Sequence, residues 1–362
     1  MVRFLHTADL HLDSPFHGLA PAQAAQRRQE QRQLLRSMAE LANERGCDLW
    51  FLAGDLFDSD NAYPETTEAL CRALGSFRGQ VFIAPGNHDC LMAGSPYFSA
   101  KWPENVHVFT SRTVSCVVLP QLGCRVWGAG FTAAESPSLL EGFRAEQDGL
   151  LNLMVLHGDA EAPGSIYNPI TKEQIALSGL QYLALGHVHQ RTELRKAGGA
   201  AYAWPGCPMG RGFDEPGQKG VYLGECSETG CRLEFCPMPG RRYEILSVPA
   251  GDDPFAAVSA ALPPDTSEDI YRILLTGPSD PIDIRGLTAA LEGRFYSLQL
   301  RDCTEPKTDL WQGAGENTLR GRFLAGMQQR LDRASGDDRE TVLLAVRLGL
   351  AAMEGREEAA TL

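Results

Sequence analysis

The first 240 residues alternate between short apolar runs and polar segments, a pattern that predicts strands joined by helices and turns. The first three apolar runs are Val2–Thr7, Asp48–Ala53 and Gln80–Ala84. Between the first two, residues 21–45 predict a helix that Gly46 ends. Its second half has apolar positions at helical spacing, and its first half is polar all round. Eight further apolar runs predict strands at Val106–Phe109, Val114–Leu119, Arg125–Gly128, Leu151–Leu156, Tyr182–Leu185, Ala201–Trp204, Gly220–Gly224 and Arg232–Phe235.

The pattern changes near residues 237–240. Residues 243–300 then predict strand, helix, strand, helix and strand, which together make a small α/β unit. After a loop come two amphipathic helices. Their shared apolar faces carry Leu319, Phe323, Met327 and Leu331 in the first helix, and Val342, Val346, Leu350 and Met353 in the second. We therefore expect three parts, over residues 1–240, 241–303 and 304–362, the last being a linker and helical tail.

The composition indicates the broad class of protein to which the chain belongs. A chain of 362 residues, 43% of them hydrophobic, is typical of a globular protein with more than one domain. No apolar run approaches the roughly 18–20 residues of a membrane span. The N-terminus lacks the features of a secretory signal, so we expect a cytoplasmic protein without membrane contact. The ten cysteines form no C-x-x-C pair and are expected to be reduced and mostly buried. The even spacing of Cys226, Cys231 and Cys236 on a predicted hairpin does not fit a zinc site.

The formal net charge of −13 weighs against nucleic acid as a ligand, because proteins that bind phosphate backbones usually carry a basic surface. No basic lobe or tail stands out in either part of the chain. Two considerations weaken this argument from charge. Bound cations offset the carboxylates of a metal site, and the cations themselves attract phosphate. The charge therefore weakens a nucleic-acid hypothesis without excluding it.

Five short motifs carry the candidate chemistry, and each directly follows an apolar run. They are Asp9-Leu-His11, Gly54-Asp55, Gly86-Asn87-His88-Asp89, His157-Gly158-Asp159 and Gly186-His187-Val188-His189. Strands that end on the same side of a sheet bring such residues to one edge. Imidazole, carboxylate and amide ligands without a thiolate suit Mn²⁺, Fe²⁺ or Zn²⁺. The sequence therefore predicts a metal site at this edge.

These motifs complete, in order, the pattern D-x-H … G-D … G-N-H-D/E … H … G-H-x-H, and on them the sequence resembles the calcineurin-like metallophosphoesterases. The segments HTADLHLDSPF, FLAGDLFD, APGNHD and YLALGHVH look like those of SbcD-type DNA repair nucleases. LHLDSPFHGL and AWPGCPMGRGFDEPGQKGVYLGE are similar to the YhaO-like bacterial branch. The resemblance covers residues 1–240 in motif detail. It implies a four-layer α-β-β-α metallophosphoesterase sandwich, a small α/β capping domain and C-terminal helices.

The resemblance also implies roles for the motif residues. It implies two divalent ions, with Mn²⁺ preferred and Fe²⁺ or Zn²⁺ as alternatives. One ion would be held by Asp9, His11 and His189, the other by Asn87, His157 and His187, and Asp55 would bridge them. His88 would stabilise charge at the phosphate, and Asp89 would accept the ring N–H of His88. Two adjacent cations neutralise a phosphodiester and lower the pKa of a shared water.

For substrate contacts, Arg28 and Arg32 on the first helix and Arg211 after the last motif are the candidates, each against the alternative of a surface role. Asp159 is interpreted as a turn residue in preference to one that supports the site. The function favoured is a metal-dependent phosphodiesterase acting on DNA, an exonuclease or endonuclease in break repair.

The nuclease resemblance implies an SbcC-like, SMC-type ATPase partner for the terminal helices, and a homodimer is left open. One alternative is a phosphoesterase acting on nucleotides, cyclic nucleotides or phosphoprotein, which the acidic charge favours. The other is an inactive scaffold subunit. The chemically competent residues at all nine motif positions argue against a scaffold.

Overall fold

The computed structural model describes residues 1–59, 62–162, 164–306, 310–335 and 337–353. The chain forms two compact units. The first comprises residues 1–246, 263–273 and 292–299. The second comprises residues 247–262, 274–291 and the described residues from 300 onward. The domain boundaries expected from the sequence, at residues 240 and 303, stay a prediction.

A six-stranded sheet of the first unit carries the first three motifs. Its strands are β1 (Val2–Thr7), β2 (Leu49–Leu52), β3 (Gln80–Ile83), β4 (Val106–Val108), β11 (Gly220–Ser227) and β12 (Gly230–Pro237). The order is β12-β11-β1-β2-β3-β4. Strands β1 to β4 are parallel, whereas β11 pairs antiparallel with both β1 and β12. The parallel arrangement brings the carboxyl ends of β1, β2 and β3 to one edge.

The other two motifs follow strands of a second six-stranded sheet. Its strands are β5 (Ser115–Leu119), β6 (Cys124–Gly128), β7 (Leu151–His157), β8 (Tyr182–Gly186), β9 (Arg195–Ala197) and β10 (Ala200–Ala203). The order is β5-β6-β7-β8-β10-β9, in which β6, β7, β8 and β10 are parallel. Strands β7 and β8 are buried along their whole length, as parallel strands covered on both faces usually are.

Side-chain alternation explains how the two sheets pack. Phe4, Phe51 and Phe82 of the first sheet share a core with Leu153 and Tyr182 of the second. The intervening residues of the first sheet pack under α1 (Pro21–Glu44) and α2 (Pro64–Ser76). Those of the second sheet pack with α4 (Lys172–Leu177), while α3 (Pro96–Ser99) follows the third motif. The predicted α/β fold, with its α-β-β-α layering, is confirmed.

Residues after 240 form the predicted strand–helix–strand–helix–strand order, followed by two helices. The elements are β13 (Tyr243–Pro249), α5 (Pro254–Ala261), β14 (Ile270–Thr276), β15 (Pro278–Ser279), α6 (Ile284–Ala290), β16 (Ser297–Asp302), β17 (Glu305–Pro306), α7 (Leu319–Leu331) and α8 (Asp337–Met353). Strands β13, β14 and β16 form a sheet in the order β13-β14-β16, and β15 pairs with β17. Among the helices of the described residues, none is both long and apolar enough to cross a membrane.

The predicted apolar faces of the two last helices need a correction. Leu324 and Met327 of α7 pack with Val346 and Leu350 of α8. Two residues assigned to these faces lie outside the core, because Leu319 is 77% exposed and Met353 is 42% exposed. Leu319 is the first residue of α7 and Met353 is the last residue of α8. Of the predicted tail over 304–362, residues 307–309, 336 and 354–362 lie outside the described residues.

The expectation that all cysteines are reduced is also corrected. Cys226 and Cys231 lie opposite each other on the β11–β12 hairpin and form a disulfide. Their predicted place on a hairpin is confirmed, and the pairing follows from the two-residue turn that joins the strands. Among the described residues the other eight cysteines form no disulfide, and four of them are buried.

Leu153→Ala should lower the free energy of unfolding by about 2–5 kcal/mol, because the side chain is fully buried between the sheets and its loss leaves a cavity. Leu177→Ala makes the same chemical change at a helical position that is 57% exposed, and it should stay within about 0.5 kcal/mol of the parent. Guanidinium unfolding followed by tryptophan fluorescence measures both. Equal losses in the two variants would contradict the packing described.

Candidate metal centre

The loops after five strands are held together by hydrogen bonds between the two sheets. His157 at the end of β7 places its Nδ1 2.9 Å from the Ala53 carbonyl after β2. The backbone N–H of His187 donates to the Asp9 carboxylate over 2.9 Å. The indole N–H of buried Trp204 donates to the carbonyls of Gly158 and Gly186, 3.1 Å from each. These bonds bring the predicted motifs together at one edge.

Four of the predicted site residues have left-handed backbone conformations. The φ angles are 53° for Asp9, 41° for His11, 51° for Asp55 and 101° for His187. Residues other than glycine rarely adopt positive φ, and such strain persists only where the surroundings impose it. Here the imposed turns point the side chains into a common space.

Two glycines permit the close approach of these loops. A Cβ on Gly86 would overlap the Asp55 carboxylate and lie 2.6 Å from the Asp55 backbone nitrogen. A Cβ on Gly186 would overlap the Ala53 carbonyl. Only a residue without a side chain fits at either point.

The first group of donor atoms comprises Asp9, His11, Asp55 and His189, with one atom from each within 4.8 Å of the others. The Nε2 atoms of His11 and His189 lie 3.1 Å apart, and His11 Nε2 lies 3.7 Å from Asp55 Oδ2. The side chains of Asp9, His11 and Asp55 are almost completely buried, whereas His189 is 30% exposed.

The second group shares Asp55 with the first and adds His157 and His187. His157 Nε2 lies 3.3 Å from Asp55 Oδ2. The Asn87 amide oxygen lies 2.9 Å from His157 Nε2 and 3.1 Å from His187 Nδ1. The structure thus brings all seven predicted metal ligands into two groups that have one carboxylate in common. Their assignment as ligands stays a prediction.

The outer nitrogens of two imidazoles provide a test of whether a cation fits. Asp58 Oδ1 lies 3.1 Å from His11 Nδ1, and Glu215 Oε1 lies 2.7 Å from His189 Nδ1. If each carboxylate holds a proton on Nδ1, the two Nε2 lone pairs face each other at 3.1 Å. A cation between them would remove this repulsion, and nitrogen and carboxylate donors suit a divalent ion. The residues fit the predicted metals.

The charges of the buried groups depend on one another. Burial raises the pKa of Asp9 to about 6. Burial also opposes ionisation of Asp55, but the neighbouring His157 and His11 hold its pKa well below the usual range. For His157, burial opposes the charge and Asp55 more than compensates, so that its pKa rises to about 9. Without a cation, Asp55 and His157 therefore carry opposite charges, and a cation at His157 would displace a proton.

His88 and Asp89 have different environments. His88 is exposed, its backbone N–H donates to Asp55 Oδ1 over 2.9 Å, and its ring centroid lies 4.8 Å from that of His11. Asp89 is fully buried. The predicted bond from the His88 ring to Asp89 has no counterpart among the described residues. The Asp89 carboxylate instead accepts hydrogen bonds from the backbone N–H groups of Leu56, Phe57 and Gly86 and from the Tyr97 hydroxyl.

The arginines predicted to contact substrate are differently placed. Arg211 binds Asp58 and Glu215 at 3.0 and 2.6 Å, beside the first group. Arg32 donates to Thr66 over 3.2 Å, and Arg28 is half-buried on α1; neither belongs to the two donor groups.

Sequence reasoning missed the carboxylates of Asp58 and Glu215 and preferred a turn role for that of Asp159. Nothing in their spacing marks Asp58 or Glu215 as a partner of a histidine. Asp159, interpreted as a turn residue, has its Oδ2 3.5 Å from His187 Nε2.

One family model and three named proteins are similar to this chain. A family model described as calcineurin-like phosphoesterase matches residues 2–191. The chain is 32% identical to the uncharacterized metallophosphoesterase YhaO of Bacillus subtilis, over 92% of this chain and 88% of that protein. It is 32% identical to the SbcD subunit of the SbcCD nuclease of Rhodobacter capsulatus, over 85% and 88%. It is 25% identical to the DNA double-strand break repair protein Mre11 of Methanopyrus kandleri, over 63% and 55%.

Gly86→Ala should destabilise the protein by about 1–3 kcal/mol, because the added methyl group overlaps the Asp55 carboxylate and forces that residue to move. The matched variant Gly199→Ala adds the same methyl group where no heavy atom lies within 4 Å, and its stability should stay within about 0.5 kcal/mol of the parent. Unfolding in a chelating buffer measures both without a contribution from metal. A neutral Gly86→Ala would show that the loops do not approach as closely as described.

Proposed function

This chain belongs to the calcineurin-like phosphoesterases, and from this we propose that it is a divalent-metal-dependent phosphodiesterase acting on DNA, a nuclease in break repair. One observation carries the proposal: two groups of nitrogen and oxygen donors share the Asp55 carboxylate. A pair of sites with a common carboxylate suits the in-line displacement of a phosphodiester. The named nuclease relatives at 32% and 25% identity support DNA as the substrate.

We assign the ligands in two sets that the donor groups support. Asp9, His11 and His189 would hold one ion, Asn87, His157 and His187 would hold the other, and Asp55 would bind both. The donor chemistry favours Mn²⁺, with Fe²⁺ or Zn²⁺ as alternatives. Bound ions of this kind neutralise the phosphodiester and make water more acidic.

The chain's own residues supply the remaining functions. His88 is the exposed imidazole at the site, and its backbone is fixed to Asp55. This position suits the donation of a hydrogen bond or a proton to the leaving oxygen. Asp89 is a positioning residue in this proposal, because its carboxylate joins the loop after β2 to the loop after β3 and so fixes the base of His88.

We also propose that the terminal helices bind an SbcC-like ATPase. Leu344 and Leu348 lie one turn apart on α8 and are 53% and 45% exposed, which gives a partner an apolar contact. The relative in Rhodobacter capsulatus is named as one subunit of a nuclease, which supports a partner for this chain as well.

Incubation of the purified chain with Mn²⁺ and end-labelled linear DNA tests the substrate. We expect the DNA to be degraded, and a chelator to abolish degradation because the two donor groups would then be empty of metal. A chemically simple phosphodiester, assayed in parallel, distinguishes the alternative substrates. Hydrolysis of that compound without any DNA degradation would identify a small phosphoester as the substrate and would refute the nuclease assignment.

Asp55→Asn should remove both metal binding and hydrolysis, because this carboxylate belongs to both donor groups. His88→Ala should lower kcat by about 10²–10⁴-fold and leave metal content unchanged, because the role proposed for this side chain is proton transfer. Metal content by plasma mass spectrometry and hydrolysis rates measure the two effects separately.

His107→Gln is the control for loss of an imidazole, since this residue of β4 lies outside the site, and both quantities should stay at the parent values. Hydrolysis that survives Asp55→Asn would rule out the shared-carboxylate mechanism.

A further inference from the structure

We propose that Arg211, Asp58 and Glu215 form a clamp that positions His11 and His189 for one of the two metal ions and leaves the other ion's ligands unaffected. This inference rests on the proposed two-metal function. The three residues are defined here as the Arg211 clamp. None of them belongs to the ligand sets assigned above, and Arg211 acquires a role different from the phosphate contact expected from the sequence.

The clamp is a continuous chain of contacts from one imidazole to the other. Asp58 Oδ1 lies 3.1 Å from His11 Nδ1 and 3.0 Å from Arg211 Nη1. Arg211 Nη2 lies 2.6 Å from Glu215 Oε1, and the same oxygen lies 2.7 Å from His189 Nδ1. The guanidinium therefore ties together the two carboxylates that contact the outer nitrogens of the histidines. A planar fork with donors on both sides suits this task, whereas an ammonium group does not.

The burial of the clamp indicates a fixed structural element. The Glu215 side chain is only 3% exposed, and its second oxygen accepts the Arg211 backbone N–H over 2.8 Å. Arg211 is 16% exposed and Asp58 is 24% exposed. Breaking such a buried pair to release the guanidinium for a substrate would leave Glu215 uncompensated, which is costly. Arg211 is thus a positioning residue.

His189 Nδ1 has two neighbours, and the proton assignment decides what the clamp does. Glu215 Oε1 is at 2.7 Å and can only accept, whereas Arg211 Nη2 is at 3.1 Å and can only donate. In a metal-bound state the proton of His189 must lie on Nδ1, where Glu215 is the neighbour that can accept it, and the Nε2 lone pair then faces the ion. Asp58 lies beside His11 Nδ1 in the same way, 3.1 Å away. The two Nε2 atoms lie 3.1 Å apart in the first donor group.

The second donor group is held by other means. His157 Nδ1 is bound by the Ala53 carbonyl, and Asp159 lies beside His187 Nε2. The clamp residues contact neither imidazole in the described structure. Loss of the clamp should therefore weaken one metal site and spare its neighbour. A general loosening of the fold would weaken both.

Mn²⁺ titration of the full chain, followed by the electron paramagnetic resonance signal of free Mn²⁺, tests this inference without an activity assay. The parent should bind two ions. In Glu215→Ala and Asp58→Ala, one of the two affinities should fall about 10–100-fold, the loss typical for residues that orient a metal-binding histidine. The other affinity should stay within about twofold. Glu215→Gln keeps an oxygen that can accept the Nδ1 proton, so its loss should be smaller than that of Glu215→Ala.

Glu30→Ala is the matched control. Glu30 is a 21% exposed carboxylate that accepts from Arg27 and Arg241 and belongs to neither donor group, and its loss should leave both affinities at the parent values. Thermal unfolding in chelator shows which variants fold, and Asp58→Ala, the more exposed position, decides the question if Glu215→Ala does not fold. Unchanged affinities in the folded variants, or equal losses at both sites, would overturn the clamp. A parent that binds fewer than two ions would overturn the two-metal proposal itself.

Discussion

The buried carboxylate of Asp55 is the constraint to which the rest of the site conforms. Its Oδ1 accepts the backbone N–H of His88, while its Oδ2 lies 3.3 Å from His157 Nε2 and 3.7 Å from His11 Nε2. A charge with 1% exposure requires such partners, since an unpaired ion in this place would be prohibitively costly. His11 comes from the first sheet and His157 from the second. The two sheets must therefore meet where Asp55 lies.

Bringing the sheets together there imposes strain on the backbone, and the local hydrogen bonds offset it. Each residue held at positive φ outside its preferred region costs about 1–3 kcal/mol. Asp9 and His11 have this conformation, and their backbone N–H groups donate to the carbonyls of Gly54 and Asp55 at 3.1 and 2.9 Å. His187 is strained as well, and its N–H donates to Asp9. The strained residues are thus also those that connect one loop to the next.

Hydrophobic periodicity was sufficient to predict most of the strands and the edge where the motifs gather, because both follow from local sequence, but it did not predict β9, β15 or β17. The helix at residues 64–76 was not predicted, and neither was the disulfide between Cys226 and Cys231. The first half of α1 has the polar pattern of a solvated helix, yet Arg27 and Gln31 are buried there. They bind the carbonyls of Gly210, Leu10 and His11, which no sequence spacing reveals. The carboxylates of Asp58 and Glu215 escaped notice for the same reason.

The distribution of positive charge bears on how an acidic chain attracts a phosphate. Of the arginines predicted to contact substrate, Arg211 is neutralised by two carboxylates. Arg32 donates to Thr66 and lies 3.8 Å from Asp13, and Arg28 is a half-buried side chain on α1. The neighbouring Arg27 is buried against Glu30 and a carbonyl. Under the proposed function, attraction for a phosphate ester would then come mainly from cations held by the two donor groups, since bound divalent ions carry the largest local charge. Substrate binding would then depend on metal binding, and the net charge of −13 would not conflict with the proposed anionic substrate.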